Sequence, residues 1–267
     1  MKAAVLRAPK DLRIEAAADP TPAAGEALVR VRAAGVCGTD FRIWTGDRQV
    51  RYPLIMGHEF IGEVAAVGAG VANVKPGDSV AVEPNYSCGT CALCQEGNRN
   101  LCLSRTAVGI DVDGGFAELA RIPARCCWPA PAGLTPEQLL LTEPLAVVVR
   151  AVRRGAARAG ERAAVLGAGT LGLLAVQVLK AQGARVLAVS RSERRLALAR
   201  ELGAEAVHSL AAGRRGDPRA ARALTSSRRP RALPRRSRKR SSSPAPAAGW
   251  SSRGSLTSRL AFTFSGW

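Results

Sequence analysis

Along the first 150 residues apolar side chains recur at every second position in short runs. Ala27-Leu-Val-Arg-Val-Arg32 alternates with a period of two, the pattern of a strand with one buried and one wet face. Val64-Ala-Ala-Val67 and Val80-Ala-Val82 are two further short runs, and Pro76-Gly77-Asp78 between them is a turn. Short strands divided by Gly-rich turns predict a β-rich domain over residues 1–150, folded as a small barrel.

The period changes after Glu161. Ala163–Leu166 predicts a strand, the glycines at 167, 169 and 172 a loop, Leu171–Gln182 a helix, and Arg185–Val189 a second strand. The charged run Glu193–Leu202 predicts another helix, stopped by Gly203 where a C-cap glycine belongs. Residues 151–212 are therefore expected to form the opening of a doubly wound parallel sheet, an α/β arrangement left incomplete. After Leu224 apolar periodicity disappears, and no acidic residue follows Asp217. Residues 213–267 are expected to be a disordered low-complexity tail, with the sheet stopping after two strands.

Net charge is +18, and its location decides its meaning. Residues 1–210 hold 25 basic and 20 acidic groups, whereas 211–267 hold 14 basic groups against Asp217 alone. The basicity belongs to the tail. Arg-rich segments bind phosphates in a salt-dependent way, so one alternative reading is a nucleic-acid-binding module. The tail, however, has few aromatics before Trp250 and no recognised nucleic-acid fold, and nucleic acid is not expected as a partner. GC-rich codons read in a shifted frame yield Arg, Pro, Ser and Ala, and a frameshift near Leu224 is the expected origin of the tail. Met1–Glu15 mixes charges among short apolar pairs and does not read as an export signal, so a cytoplasmic location is expected. Ala163–Leu179 contains three glycines and Gln177 and is not expected to span a membrane.

Cysteines spared from export point to metal or catalysis before disulfides. Cys88, Cys91, Cys94 and Cys102 follow C-x2-C-x2-C-x7-C in a polar stretch, and four thiolates so spaced can enclose a structural Zn²⁺ locally. The competing reading is a pair of local disulfides. Adjacent Cys126 and Cys127 read as small apolar residues of a strand.

Two short segments, Gly35-Val-Cys37-Gly-Thr39-Asp40 and Gly57-His58-Glu59-Phe60, carry further metal-ligating residue types. Glu143 lies inside the apolar run Leu139–Val149, where a buried carboxylate needs water or a cation. Gly167-Ala-Gly169-Thr170-Leu171-Gly172 follows a predicted strand and opens a predicted helix, the context of a dinucleotide fingerprint. Its glycines allow a tight turn and close approach of a pyrophosphate to the helix N-terminus. The next strand ends at Ser190-Arg191, without the acidic residue that holds ribose hydroxyls, which favours NADP(H) over NAD(H).

Cys37-Gly-Thr39-Asp40, Gly57-His58-Glu59, the four-cysteine lobe, Glu143-Pro144 and the glycine loop occur in one order. Over residues 1 to about 210 that order resembles the zinc-dependent medium-chain alcohol and polyol dehydrogenases. The resemblance implies a GroES-like catalytic domain, then a Rossmann domain, with the active site between them. It implies hydride transfer between NAD(P) and an alcohol or polyol. Cys37 and His58 would be catalytic zinc ligands with Glu59 beside them, and Glu143 the fourth ligand or the partner of a bound water. Which glutamate touches the metal stays open. Thr39 would relay the alcohol proton, and Asp40 would orient His58. Glu at 143 looks more like sorbitol, threonine or glucose dehydrogenases than ethanol-type enzymes. Many relatives place a His shortly after the Thr, where this chain has Phe41-Arg42, so no relay through such a His is expected. Relatives form homo-oligomers through the Rossmann sheet, and an incomplete sheet argues against the same assembly here. A zinc-loaded protein without turnover is the remaining alternative.

Overall fold

The computed structural model describes residues 1–209 and 259–263; for 206–209 and 259–263 only the backbone is considered. The chain divides into two compact units, one built from Met1–Ala146 and the other beginning at Val147.

The first unit opens with the hairpin β1 (Lys2–Ala8) and β2 (Asp11–Ala16), followed by the long strand β3 (Glu26–Gly35) and helix α1 (Gly38–Thr45). Next come β4 (Leu54–Ile55), β5 (Glu59–Val67), β6 (Ser79–Val82) and β7 (Asn85–Tyr86). A short helix α2 (Ala92–Gln95) precedes β8 (Thr106–Ala107), β9 (Leu119–Pro123) and β10 (Cys127–Pro129). Helices α3 (Pro136–Leu140) and α4 (Thr142–Gly155) close it, with the boundary between units falling inside α4.

Two antiparallel sheets carry this unit, β10-β6-β5-β3-β9 and β2-β1-β4, joined by a single bridge between Ala3 and Ala117. The alternation read in β3 takes its expected sides. Ala27 and Val29 are fully buried while Arg30 and Arg32 face water. Val29 packs with Phe60, Val64, Val80 and Ile122, and burying a side chain of this size contributes about 1.5–3 kcal/mol. Gly62 is required where β5 pairs with β3, because a Cβ there would stand 2.2 Å from the Arg30 carbonyl oxygen.

In the second unit β11 (Arg162–Leu166), α5 (Thr170–Ala181), β12 (Arg185–Ser190), α6 (Glu193–Glu201) and β13 (Ala206–Ser209) form a βαβαβ run. Strand β14 (Arg259–Thr263) pairs parallel with β11, giving the sheet order β13-β12-β11-β14. Helix α5 is apolar nearly all round because it lies on the sheet. Leu174, Ala175, Val176 and Leu179 join Val165, Val186 and Leu196 in one core. Gly203, at φ +107°, ends the α6 segment as predicted.

The structure corrects the expectation of a sheet with only two strands. Ala206–Ser209 and Arg259–Thr263 add one strand on each side. A parallel strand receives its partner from far along the chain, which local pattern does not report. The rest of the predicted tail, 210–258 and 264–267, lies outside the described residues.

Candidate functional site

Strands β7 and β8 pair at Asn85–Ala107 and Tyr86–Thr106, which ties the two ends of the cysteine segment together. Arg125 reinforces the tie: its guanidinium donates to the Ser87 carbonyl at 3.1 Å and lies 5.7 Å from the centre of the Tyr86 ring. Within the lobe the Sγ atoms of Cys88 and Cys94 are 3.9 Å apart, Cys91 and Cys94 3.5 Å, Cys91 and Cys102 3.9 Å, and Cys88 and Cys102 3.5 Å. A tetrahedron of Zn–S bonds of about 2.3 Å needs sulfurs about 3.8 Å apart, which these separations bracket. The disulfide alternative would need about 2.05 Å, and all seven cysteines are free thiols. Backbone N–H groups of Cys91 and Cys88 point at the Cys88 and Cys102 sulfurs, each at 3.4 Å. Hydrogen bonds from the Cys91 and Thr90 backbones, then from the Thr90 hydroxyl and Cys102, draw the Cys88 thiol down to about 5. The lobe is thus prepared for thiolates.

The second cluster is assembled from the C-terminal end of β3, the start of α1 and the start of β5. One ligand atom each from Cys37, His58 and Glu59 lie within 4.8 Å of one another. Cys37 is the N-cap of α1, and the Asp40 carboxylate accepts its backbone N–H at 2.8 Å. The other Asp40 oxygen is 3.2 Å from His58 Nδ1, which leaves Nε2 for another partner. Both residues are buried, Asp40 at 1% and His58 at 7% exposure. Burial opposes a charge on His58, but hydrogen bonds to Asp40 and Cys37, with the charges of both, overcome it and push the imidazole up to about 10. The surroundings of His58 thus favour a positive charge at this position.

Glu143, on the first turn of α4, stands outside the three-residue group. Burial pushes its carboxyl up to about 7, the negative Glu59 adds to the rise, and His58 opposes it. Of the two glutamates left open by the sequence, Glu59 is the one gathered with Cys37 and His58. Thr39 is half-buried in the first turn of α1, with no hydrogen bond to its hydroxyl among the described residues.

Sequence reading missed the backing of this cluster. Residues 114–116 run beside 55–57, with the Gly114, Gly115 and Phe116 N–H groups donating to the carbonyls of Ile55, Gly57 and Met56. Asp113 accepts the Ile55 N–H at 2.9 Å. The signal was Asp111-Val-Asp113-Gly-Gly115, a turn-forming run whose partner lay too far away to infer.

In the second unit, Gly167 takes φ +99° and its N–H donates to the Val189 carbonyl at 2.8 Å, fixing the loop to the end of β12. Gly169 is the N-cap of α5, and Thr170 and Leu171 are its first helical residues. A Cβ on Gly172 would lie 1.8 Å from the Gly167 carbonyl oxygen, so only glycine allows helix and loop to approach this closely. Ser190 Oγ accepts the Ser192 N–H at 3.3 Å, and Arg191 is exposed beside it.

Residues 23–132 match the alcohol dehydrogenase GroES-like domain, and residues 170–230 match the zinc-binding dehydrogenase family. L-threonine 3-dehydrogenase of Bacillus velezensis is 42% identical over 184 residues, 67% of this chain and 53% of that protein. A zinc-binding dehydrogenase of Sinorhizobium meliloti 1021, solved bound to NADP, is 37% identical with a TM-score of 0.77, covering 79% of this chain and 62% of that one. Alcohol dehydrogenase TADH from Thermus sp. ATN1 is 32% identical with a TM-score of 0.76, covering 84% of this chain and 67% of that one. The chain belongs to the zinc-dependent medium-chain alcohol and polyol dehydrogenases, whose cofactors are zinc and NAD(P). It spans about half the length of the Bacillus velezensis threonine dehydrogenase.

Proposed function

We propose that this protein transfers hydride between the CH–OH group of a small alcohol or polyol and NAD(P). The observation carrying this reading is the convergence of Cys37, His58 and Glu59, one ligand atom each within 4.8 Å, with Asp40 behind the imidazole. Sulfur, nitrogen and carboxylate oxygen are the donors zinc accepts, and three protein ligands leave the open position of a catalytic site. Zinc held there supplies Lewis acidity that lowers the pKa of an alcohol.

The remaining work falls to the chain. Asp40 fixes the His58 ring through Nδ1, so Nε2 is the nitrogen that would hold the ion, as with other carboxylate partners of metal-ligating histidines. Thr39 takes the proton from the substrate hydroxyl and passes it outward. Glu143, whose carboxyl is raised by burial and by the neighbouring Glu59, is the partner of a bound water. The four sulfurs of the lobe hold a structural zinc. Gly167, Gly169, Thr170, Leu171 and Gly172 seat the dinucleotide pyrophosphate at the α5 N-terminus, where first-turn backbone N–H groups lack intrahelical acceptors. Ser190 already accepts one N–H, and its hydroxyl proton is available to a ribose or to a 2′-phosphate, which Arg191 neutralises. NADP(H) is the proposed form. The proposed partners are small molecules in the cytoplasm, with no part for nucleic acid.

Cys37→Ser is expected to abolish oxidation of alcohols and to remove one of two zinc equivalents per chain by elemental analysis. Full activity and unchanged zinc would overturn the assignment. A second reading is a zinc-loaded protein without turnover. Both zinc equivalents with no NAD(P)H formed from any alcohol or polyol would favour it.

A further inference from the structure

Cys88 and Cys102 stand at the two ends of the four-sulfur lobe, next in sequence to the neck formed by the pairs Asn85–Ala107 and Tyr86–Thr106. The four thiols differ in access to solvent. Cys88 is exposed and Cys91 half-buried, whereas Cys94 and Cys102 are buried. The exposed sulfur also has donors placed on it, the Cys91 N–H at 3.4 Å and the Thr90 hydroxyl at 3.6 Å. Its neighbour Cys102 Sγ lies at 3.5 Å and is itself held by the Cys88 N–H at 3.4 Å, while Cys94 Sγ is farther, at 3.9 Å.

Thiolates gathered for a metal are deprotonated nucleophiles, and an oxidant arriving from solvent meets Cys88 first. With hydrogen peroxide, the Cys88 sulfur attacks one oxygen, so that an S–O bond forms, the O–O bond breaks and hydroxide leaves. The Cys102 thiolate then attacks the Cys88 sulfur, the S–S bond forms, the S–O bond breaks and a second hydroxide leaves. The two sulfurs lose two electrons and the peroxide gains them. Cys91 and Cys94 alone do not complete a four-coordinate site, so closure costs the lobe its ion. The other cysteines are not arranged for this. Cys37 shares its cluster with a nitrogen and a carboxylate and no second sulfur, and Cys126 and Cys127 are 2% exposed.

Resting on the structural-zinc reading of the lobe, we propose that the lobe is a peroxide-responsive switch, in which oxidation joins Cys88 to Cys102, releases the ion and leaves a covalent clasp beside the β7–β8 neck in its place.

The test treats the full zinc-loaded chain, and in parallel its Cys37→Ser form, with hydrogen peroxide in the presence of a chromogenic zinc chelator. Both are then alkylated, cut with trypsin and mapped by mass spectrometry. Cleavage after Arg99 separates Cys102 from the other three lobe cysteines, so the disulfide appears as a crosslink between the peptide ending at Arg99 and residues 100–105, with fragment ions placing it on Cys88. The expected result is loss of the single zinc equivalent from the Cys37→Ser form and the same crosslink in both forms, each reversed by dithiothreitol and added zinc. Zinc retained under peroxide overturns the proposal. So does release with Cys91 joined to Cys94 in place of the expected pair, or with sulfinic acids in place of a disulfide. A Cys37→Ser form that holds no zinc before peroxide is added defeats the structural-zinc reading itself, whereas one equivalent present and kept defeats only the switch.

Discussion

Gly57 immediately precedes His58 and takes φ +93°, with the Phe116 ring where a side chain would go. A Cβ there would stand 2.4 Å from a ring carbon. Gly57→Ala combines a left-handed backbone with a clash against a half-buried ring and is expected to cost about 2–4 kcal/mol of stability. Chemical denaturation would measure that cost, and zinc content should fall with it because His58 is displaced. Sequence showed Gly57 as part of a motif, but its partner Phe116 lies far along the chain. Cys126 and Cys127 were legible as apolar residues, and both are 2% exposed. Burial pushes Cys126 up to about 11, with Glu83 adding, and pushes Cys127 up to about 12, from a usual value of 9.0. A raised acid pKa favours the neutral thiol in the fold, so this contribution is complete below pH 9 and is lost as pH climbs toward 11–12. The urea midpoint should fall over that window more steeply than in a Cys126→Ala/Cys127→Ala variant.

Among the elements, those with a strong local period were readable and those built by distant pairing were not. Helices α5 and α6 and strands β11 and β12 lie within a residue or so of their predicted bounds, because buried helix faces and capping glycines write themselves locally. Strands β4, β7 and β8 are two residues each and exist because a partner strand is present. The cysteine lobe is a separate case, since its spacing was plain while its shape follows from the sulfurs. Among the residues 87–105, Cys94 and Cys102 are the buried ones, so the ion and not an apolar core would hold the lobe together. Cys94→Ala should release one zinc equivalent and raise hydrogen exchange across 88–102. Amides of β3 and β5 should keep their protection, as their core does not include the lobe.

For the molecule as a whole, the second unit depends on a strand that no local pattern announced. Strand β14 pairs with β11 over five residues, Arg162 with Arg259 through to Leu166 with Thr263, and it covers an edge of the strand that leads into the glycine loop. Ending the chain after residue 258 would leave the β11 ladder open on that side. An exposed edge on a parallel sheet loses backbone hydrogen bonds and invites pairing between copies. With net contributions of about 0.5–1.5 kcal/mol per hydrogen bond, the truncation should destabilise the second unit by about 2–5 kcal/mol. The core of the first unit is made by β3, β5, β6 and β9 and is untouched. Thermal unfolding should therefore separate into an early transition, lost protection in β11, β12 and α5, and a later one close to that of the full chain. The zinc count should stay at two equivalents, since every proposed ligand lies before Val147. Coincident loss of both units would mean that β14 supports more than its own sheet, and an unchanged melting profile would mean that the pairing contributes nothing to stability.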